Sequence, residues 1–157
     1  MRIVNGFLLF WKEWPSNWCR ENFLVDGVQY NCIEQWMMSE KAKVFKDNET
    51  YAKIMGTLVP REQKAFGREV KGYDDEVWAK VRYNIVLRGI VQRFLQNNPS
   101  RLLDTKGLTL VEASPEDKIW GVGLGENDPR IENQETWLGQ NLLGKALTEA
   151  RTIITDW

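Results

Sequence analysis

The stretch DDEVWAKVRYNIVLRGIVQRFLQNN, from Asp74 to Asn98, limits the fold more than any other part of this chain. It holds no proline, and Val77, Val81, Ile85 and Gly89-Ile90 recur at helical spacing along it. Asp74 or Asp75 stands where an N-cap belongs, with a side-chain oxygen for the first free backbone amides. A helix this long with one apolar stripe needs other elements to cover it. No apolar run reaches membrane-spanning length, and the N-terminus shows no signal-peptide pattern, so the cytoplasm is the expected location.

The neighbouring segments are mostly helical as well. YNCIEQWMMSEKAKVF, residues 30–45, reads as a helix capped by Asn31, with Glu34 three residues on at the capping-box position. Asn48 to Met55 is a short helix ended by Gly56, Pro60 opens the next, and Ser100 caps a brief turn through Leu103. The last helix is expected from about Leu138 to Ile154. Strand signals are fewer. GFLLFWKEWPSNW reads as a strand running into a loop, and FLVDGVQY alternates about Asp26-Gly27, a two-residue hairpin signal. GLTLVEAS alternates like a third strand. No repeat, low-complexity tract or linker divides the 157 residues. The expectation is one α+β domain over 1–157, mainly helical around a small sheet.

Composition narrows the chemistry. Lys and Arg number 21 against 22 Asp and Glu, a net charge of −1. That balance argues against gripping nucleic acid with a broad basic surface, while leaving room for a pocket that takes one nucleotide. Histidine is absent, which removes Ser-His-Asp and Cys-His arrangements. Cys19 and Cys32 are read as free thiols, and two cysteines without histidine make no zinc site. Proton chemistry therefore falls to Asp, Glu, Lys, Tyr or Cys. Eight tryptophans are many for this length, and they suit either a core or a pocket that stacks on a base.

Glu34 and Lys41 are seven residues apart, two helical turns less about twenty degrees, so they leave one helix face. They form either a solvated edge or the wall of a cleft. Each candidate also has a plain structural role. Glu34 would complete the capping box, Lys41 would be a solvated lysine, and Asp117 would begin a turn. Asn141 would cap a helix ahead of core leucines, and Arg68 and Arg151 would be surface charges. The long segment PEDKIWGVGLGENDPRIENQETW is unusual for a connection in a compact domain, a length more often functional or disordered. Its GVGLG run lacks the spacing and the following helix of a dinucleotide fingerprint, and no P-loop is present.

Five segments, in order along nearly the whole chain, resemble the NADAR family, also called YbiA-like. They are PSNW, FLVDGVQYNCIEQWMMSEKA, AFGREV, LVEASPEDKIWGVG and GQNLLGKALTEAR. The resemblance implies a YbiA-like fold and an enzyme, an N-glycosidase without cofactor or metal that cleaves the bond from a base to C1 of a phosphorylated ribose. It places the family's catalytic carboxylates and lysine on Glu34, Lys41 and Asp117. It places ligand contacts on Ser16, Asn17, Gln35, Trp36, Arg68, Trp120, Gly121 and Asn141. Gln35 and Trp36 depart from the family pattern, where His and Tyr are common, so a base or ribose contact there would differ.

Two activities follow from the resemblance: removal of ADP-ribose from guanine in ADP-ribosylated DNA, and hydrolysis of ribosylaminopyrimidine phosphates of riboflavin synthesis. The first is preferred, with a non-catalytic module binding ADP-ribose or a nucleotide as the rival from another class. The partner is then an ADP-ribosylated nucleotide or a phosphoribosyl small molecule, with weak affinity for unmodified DNA. Loss of a base builds positive charge on the sugar, which a carboxylate stabilises while a second carboxyl group moves a proton. A buried lysine adds the route through a Schiff base with the opened sugar. Lys41 is assigned the nucleophile, Glu34 proton transfer, Asp117 orientation of ribose or water, and Arg68 a phosphate.

Overall fold

Two turns with left-handed backbone set the sheet register. Asn5 and Gly6, at φ 51° and 80°, join β1 (Arg2–Val4) to β2 (Phe7–Phe10), and Asp26 and Gly27, at 50° and 80°, join β3 (Phe23–Val25) to β4 (Val28–Tyr30). Positive φ at both central residues gives the strand twist of a tight hairpin, which Asn-Gly and Asp-Gly tolerate best. The second turn follows the sequence expectation. The first carries the same signal in plain sight but was not expected, and it adds β1 to the fold. The computed structural model describes residues 1–157 and divides them into two compact units, one of residues 1–19 with 98–157, the other of residues 20–97.

In the first unit β2 lies between β1, antiparallel, and β5 (Thr109–Glu112), parallel, with Phe7 opposite Thr109 and Phe10 opposite Glu112. Leu9, Val111, Ala113, Val122, Leu124 and Ile131 form a buried cluster beside this sheet, with Phe7 and Trp137 packed on it. Two short 3-10 turns, Pro129–Glu132 and Gln134–Thr136, give the long connection its only regular structure. It is ordered by packing, as the buried Val122, Leu124 and Ile131 show.

The second unit is the hairpin β3–β4 with four helices: α1 (Ile33–Val44), α2 (Asn48–Met55), α3 (Pro60–Gly67) and α4 (Asp75–Gln96). Helix α1 sits at its centre and packs on the other three. Helix α4 forms as expected, with Asp74 accepting from the amides of Glu76 and Val77, but its buried face is the expected one only at Gly89 and Ile90. Val77 is exposed and Val81 and Ile85 are half-buried, while Trp78, Val86, Gly89, Ile90 and Phe94 are buried. The first half of the stripe is shifted by one residue, from Val77 and Ile85 to Trp78 and Val86. Gly89 faces α1: a Cβ there would stand 2.4 Å from the Trp36 indole, so only glycine lets α1 and α4 approach. Arg93 is also on the buried side, with its Nε 3.0 Å from Glu21 Oε1.

Two further helices complete the first unit, α5 (Pro99–Leu103) and α6 (Leu142–Thr155). Asn98, not Ser100, occupies the N-cap position of α5. Helix α6 begins four residues later than expected, because the amides of Leu138, Gln140 and Asn141 bond to the carbonyls of Val122, Lys118 and Gly121, and Asn141 is left-handed. Strands, hairpin and six helices make the expected α+β fold.

Candidate active site

The sequence left Glu34 between a capping box and a cleft, and the geometry removes the first role. The N-cap of α1 is Cys32, one residue beyond the expected Asn31, and its Sγ accepts from the Gln35 amide at 3.4 Å. Gln35 Oε1 in turn accepts from the Asn31 amide at 2.8 Å, so Gln35 fills the reciprocal position that Glu34 was expected to hold. Asn31 cannot cap because its side chain is engaged elsewhere: Nδ2 donates to the Leu58 carbonyl at 2.6 Å and Oδ1 accepts from Gln63 Nε2 at 2.9 Å. Burial pushes the Cys32 thiol up to about 12, so it is an unreactive cap.

Glu34 lies in the first turn of α1 and is only 4% exposed. A carboxylate kept out of water on a helix otherwise packed with Ile33, Trp36, Met37 and Met38 is costly, the usual mark of a functional group. Lys41, two turns on, is half-buried. Burial pushes its amine below the ordinary lysine range; Glu34 pulls it back up, Arg68 pushes it further down, and Asp75 pulls up. Its Nζ lies 4.5 Å from the centre of the Tyr73 ring. Arg68 is exposed, at the C-cap of α3. One helix face therefore presents a buried acid and a half-buried amine with a guanidinium in electrostatic range.

Gln35 and Trp36, expected against substrate, make hydrogen bonds and packing contacts within the second unit. Gln35 Nε2 donates to the carbonyls of Ile54 and Thr57, and its Oε1 is already taken by Asn31. Trp36 is 2% exposed, donates to the Ile85 carbonyl at 2.7 Å and meets Tyr30 edge-on. The departures from the family pattern at these two positions fall on packing and capping groups. An open cleft of about 440 Å³ in the same unit is lined by Arg20, Asn22, Gln29, Asn31, Gln35, Met55 and Leu58, and neither Glu34 nor Lys41 borders it.

The remaining candidates lie in the first unit. Asp117 begins a turn: its Oδ1 accepts from the amides of Ile119 at 2.9 Å and Trp120 at 2.8 Å. The carbonyls of Lys118, Ile119, Trp120 and Gly121 then receive the amides of Gln140, Leu142, Leu143 and Asn141. These bonds satisfy the start of α6. Asn141, at φ 53°, is consequently free to use its side chain on β5, donating from Nδ2 to the Leu110 carbonyl and accepting the Glu112 amide, both at 3.0 Å. Gly121 is a close-approach position, since a Cβ there would stand 3.0 Å from the Glu112 carboxylate. Trp120 is buried, as is Ser16, whose Oγ accepts from the Trp18 amide. Asn17 is 6% exposed and its Oδ1 has no hydrogen-bond partner.

Asn141→Ala leaves one buried carbonyl and one buried amide without partners and puts alanine at positive φ. Each orphaned group costs about 1–3 kcal/mol, so urea denaturation should show a loss of about 2–5 kcal/mol. A variant with unchanged stability and altered substrate affinity would instead make Asn141 a ligand contact.

Glu112 went unnoticed in the sequence. It is 9% exposed and shares the strand parity of Leu110, so the alternation in GLTLVEAS already pointed it inward. No group of three or more His, Cys, Asp or Glu is placed to hold a metal ion.

The α+β fold thus carries a buried acid and an amine lowered in pKa by burial on one face of α1. The NADAR domain model matches residues 9–155, and the chain belongs to the NADAR domain family. The chain is 38% identical over 148 residues to "N-glycosidase R617" of Acanthamoeba polyphaga mimivirus, covering 93% of this chain and 87% of that one. It is 34% identical over 141 residues to "Protein irg-1" of Caenorhabditis elegans, covering 83% and 66%. With "N-glycosidase Npun_R5314" of Nostoc punctiforme it shares 28% over 156 residues, 95% and 93% of the two chains. The NMR structure of the E. coli protein YbiA superimposes with a TM-score of 0.79 at 22% identity, over 99% of this chain and 88% of that one, which establishes a YbiA-like fold.

Proposed function

We propose that this chain is an N-glycosidase that releases ADP-ribose from guanine bases of ADP-ribosylated DNA, by water-dependent cleavage of the bond between the base nitrogen and C1 of the ribose. The enzyme class, a hydrolase of N-glycosyl bonds, rests on kinship with two relatives named N-glycosidase. The ADP-ribosyl guanine substrate rests on the resemblance to family members with that activity. The observation that carries the reading is the Glu34–Lys41 pair: a buried acid and an amine with a lowered pKa on one face of α1.

The pair supports a complete cycle. The neutral Lys41 amine attacks C1, the C1–N bond breaks, and the base leaves with a proton passed through Glu34. Opening of the sugar ring gives an imine to Lys41. Water then hydrolyses the imine, restoring the amine and releasing the sugar. The net change is one water consumed per bond cleaved. Arg68, exposed beside the pair, suits the diphosphate of ADP-ribose. A net charge of −1 suits a protein that takes the modified nucleotide and not a length of duplex.

The test is incubation with guanine-ADP-ribosylated single-stranded DNA and mass analysis of the products. Free ADP-ribose and unmodified DNA are the expected products. Intact modified DNA, together with hydrolysis of ribosylaminopyrimidine phosphate, would move the reading to riboflavin intermediates. Binding of ADP-ribosylated DNA with no turnover of either compound would make the chain a binding module.

A further inference from the structure

The turn between α3 and α4 places an aromatic ring where the proposed nucleophile ends. Lys71 is tied by its amide to Asp47 Oδ2 at 2.9 Å, and Gly72 follows at φ 78°. That bond is the largest influence holding the Asp47 carboxyl down at about 2, so the acceptor stays ionised at neutral pH. Asp74 fixes the far end of the turn by capping α4. Between these anchors stands Tyr73. Its hydroxyl donates to Asp75 Oδ1 at 2.7 Å, and Phe45 meets its ring at 5.5 Å and 67°. Phe45 is itself the C-cap of α1, four residues beyond Lys41. The ring is held at its hydroxyl and by an aromatic neighbour, and Lys41 Nζ lies 4.5 Å from its centroid.

An aromatic face attracts an ammonium and offers nothing comparable to a neutral amine. We infer that Tyr73 is a positioning residue that latches Lys41 in its protonated, unreactive form until substrate draws the amine off the ring. This rests on the reading of Lys41 as nucleophile. The resting chain then keeps a smaller share of Lys41 as the neutral amine that condenses with stray aldehyde sugars. Attack at C1 requires Lys41 to leave the ring and lose its proton, which Glu34 takes and passes to the leaving base. The charged groups that bear on Lys41 are Glu34 on its own helix, Arg68 at the end of α3 and Asp75 at the start of α4, with Tyr73 between the last two. Glu34 and Asp75 favour the ammonium, as the ring does, and Arg68 opposes it. The latch thus works with the two carboxylates and against burial.

Reductive methylation by formaldehyde and cyanoborohydride tests this without requiring turnover. The amine condenses with formaldehyde to an imine and loses water; hydride from the cyanoborohydride reduces the imine to the methylamine. Peptide mass analysis follows Lys41, with the exposed Lys106 as internal reference. In Tyr73→Leu, Lys41 should be modified roughly twofold to fivefold faster at neutral pH, with half-maximal reactivity at a lower pH. Tyr73→Phe keeps the ring and should match wild type. Phe45→Leu, which loosens the ring, should fall between them, and it serves as a second probe should Tyr73→Leu not fold. Equal Lys41 rates and pH dependence in wild type, Tyr73→Leu and Phe45→Leu would overturn the latch. So would a rise in Tyr73→Phe as large as that in Tyr73→Leu. A faster Lys41 in a chain that never releases ADP-ribose would uphold the latch and reject the proposed activity, so the two failures are distinct.

Discussion

Lys41→Ala should abolish release of ADP-ribose, and Lys41→Arg should do the same. Loss of a covalent nucleophile costs on the order of 10³-fold or more in kcat. Arginine keeps the positive charge but has no amine that is neutral at accessible pH, so the pair of variants separates a nucleophile from an electrostatic aid. The direct readout is trapping. Borohydride added during turnover should reduce the imine and leave wild-type protein heavier by the sugar on the peptide bearing Lys41, with no adduct in either variant. Substantial turnover in Lys41→Arg without an adduct would assign bond cleavage to water.

Glu34→Gln has the second large effect. The substitution keeps shape and removes the ionisable group, so kcat should fall by about 10²–10⁴, the range for loss of a general acid or base. kcat/KM should fall with it, because the proton moves in the transition state. The pH dependence gives an independent check. Glu34 raises the pKa of Lys41. Its removal therefore lowers that pKa further, and the residual activity should begin to rise at a lower pH than in wild type. An unshifted profile with a modest loss of kcat would leave Glu34 as a packing group.

Both residues were legible in the sequence because helical period is local: Glu34 and Lys41 share a face whatever surrounds the helix. The Asp26-Gly27 hairpin was legible for the same reason, and the Asn5-Gly6 turn carries the same information. Helix ends were less so. Asn31 and Cys32 are adjacent cap candidates, and the choice was made by Gln63 and Leu58, which are distant in sequence and engage Asn31 first. Gly89 was on the expected stripe, but the partner that requires glycine there, Trp36, is one that no periodicity in α4 could reveal.

The residues resembling the family's ligand contacts divide along the same line. Asn141 stands where a cap was expected, but backbone carbonyls from 118–121 satisfy the start of α6 and free its side chain to join β5. Gln35 and Trp36 hold α1 in place. Tyr73 carried no signal at all, because its place over Lys41 depends on a turn anchored by Asp47. By itself the sequence determined which segments are helix or strand and which side chains share a face, since spacing and turn chemistry act over a few residues. Only the tertiary structure decided which polar groups are buried and which are occupied by capping and packing, since burial and hydrogen-bond partners come from segments far away along the chain.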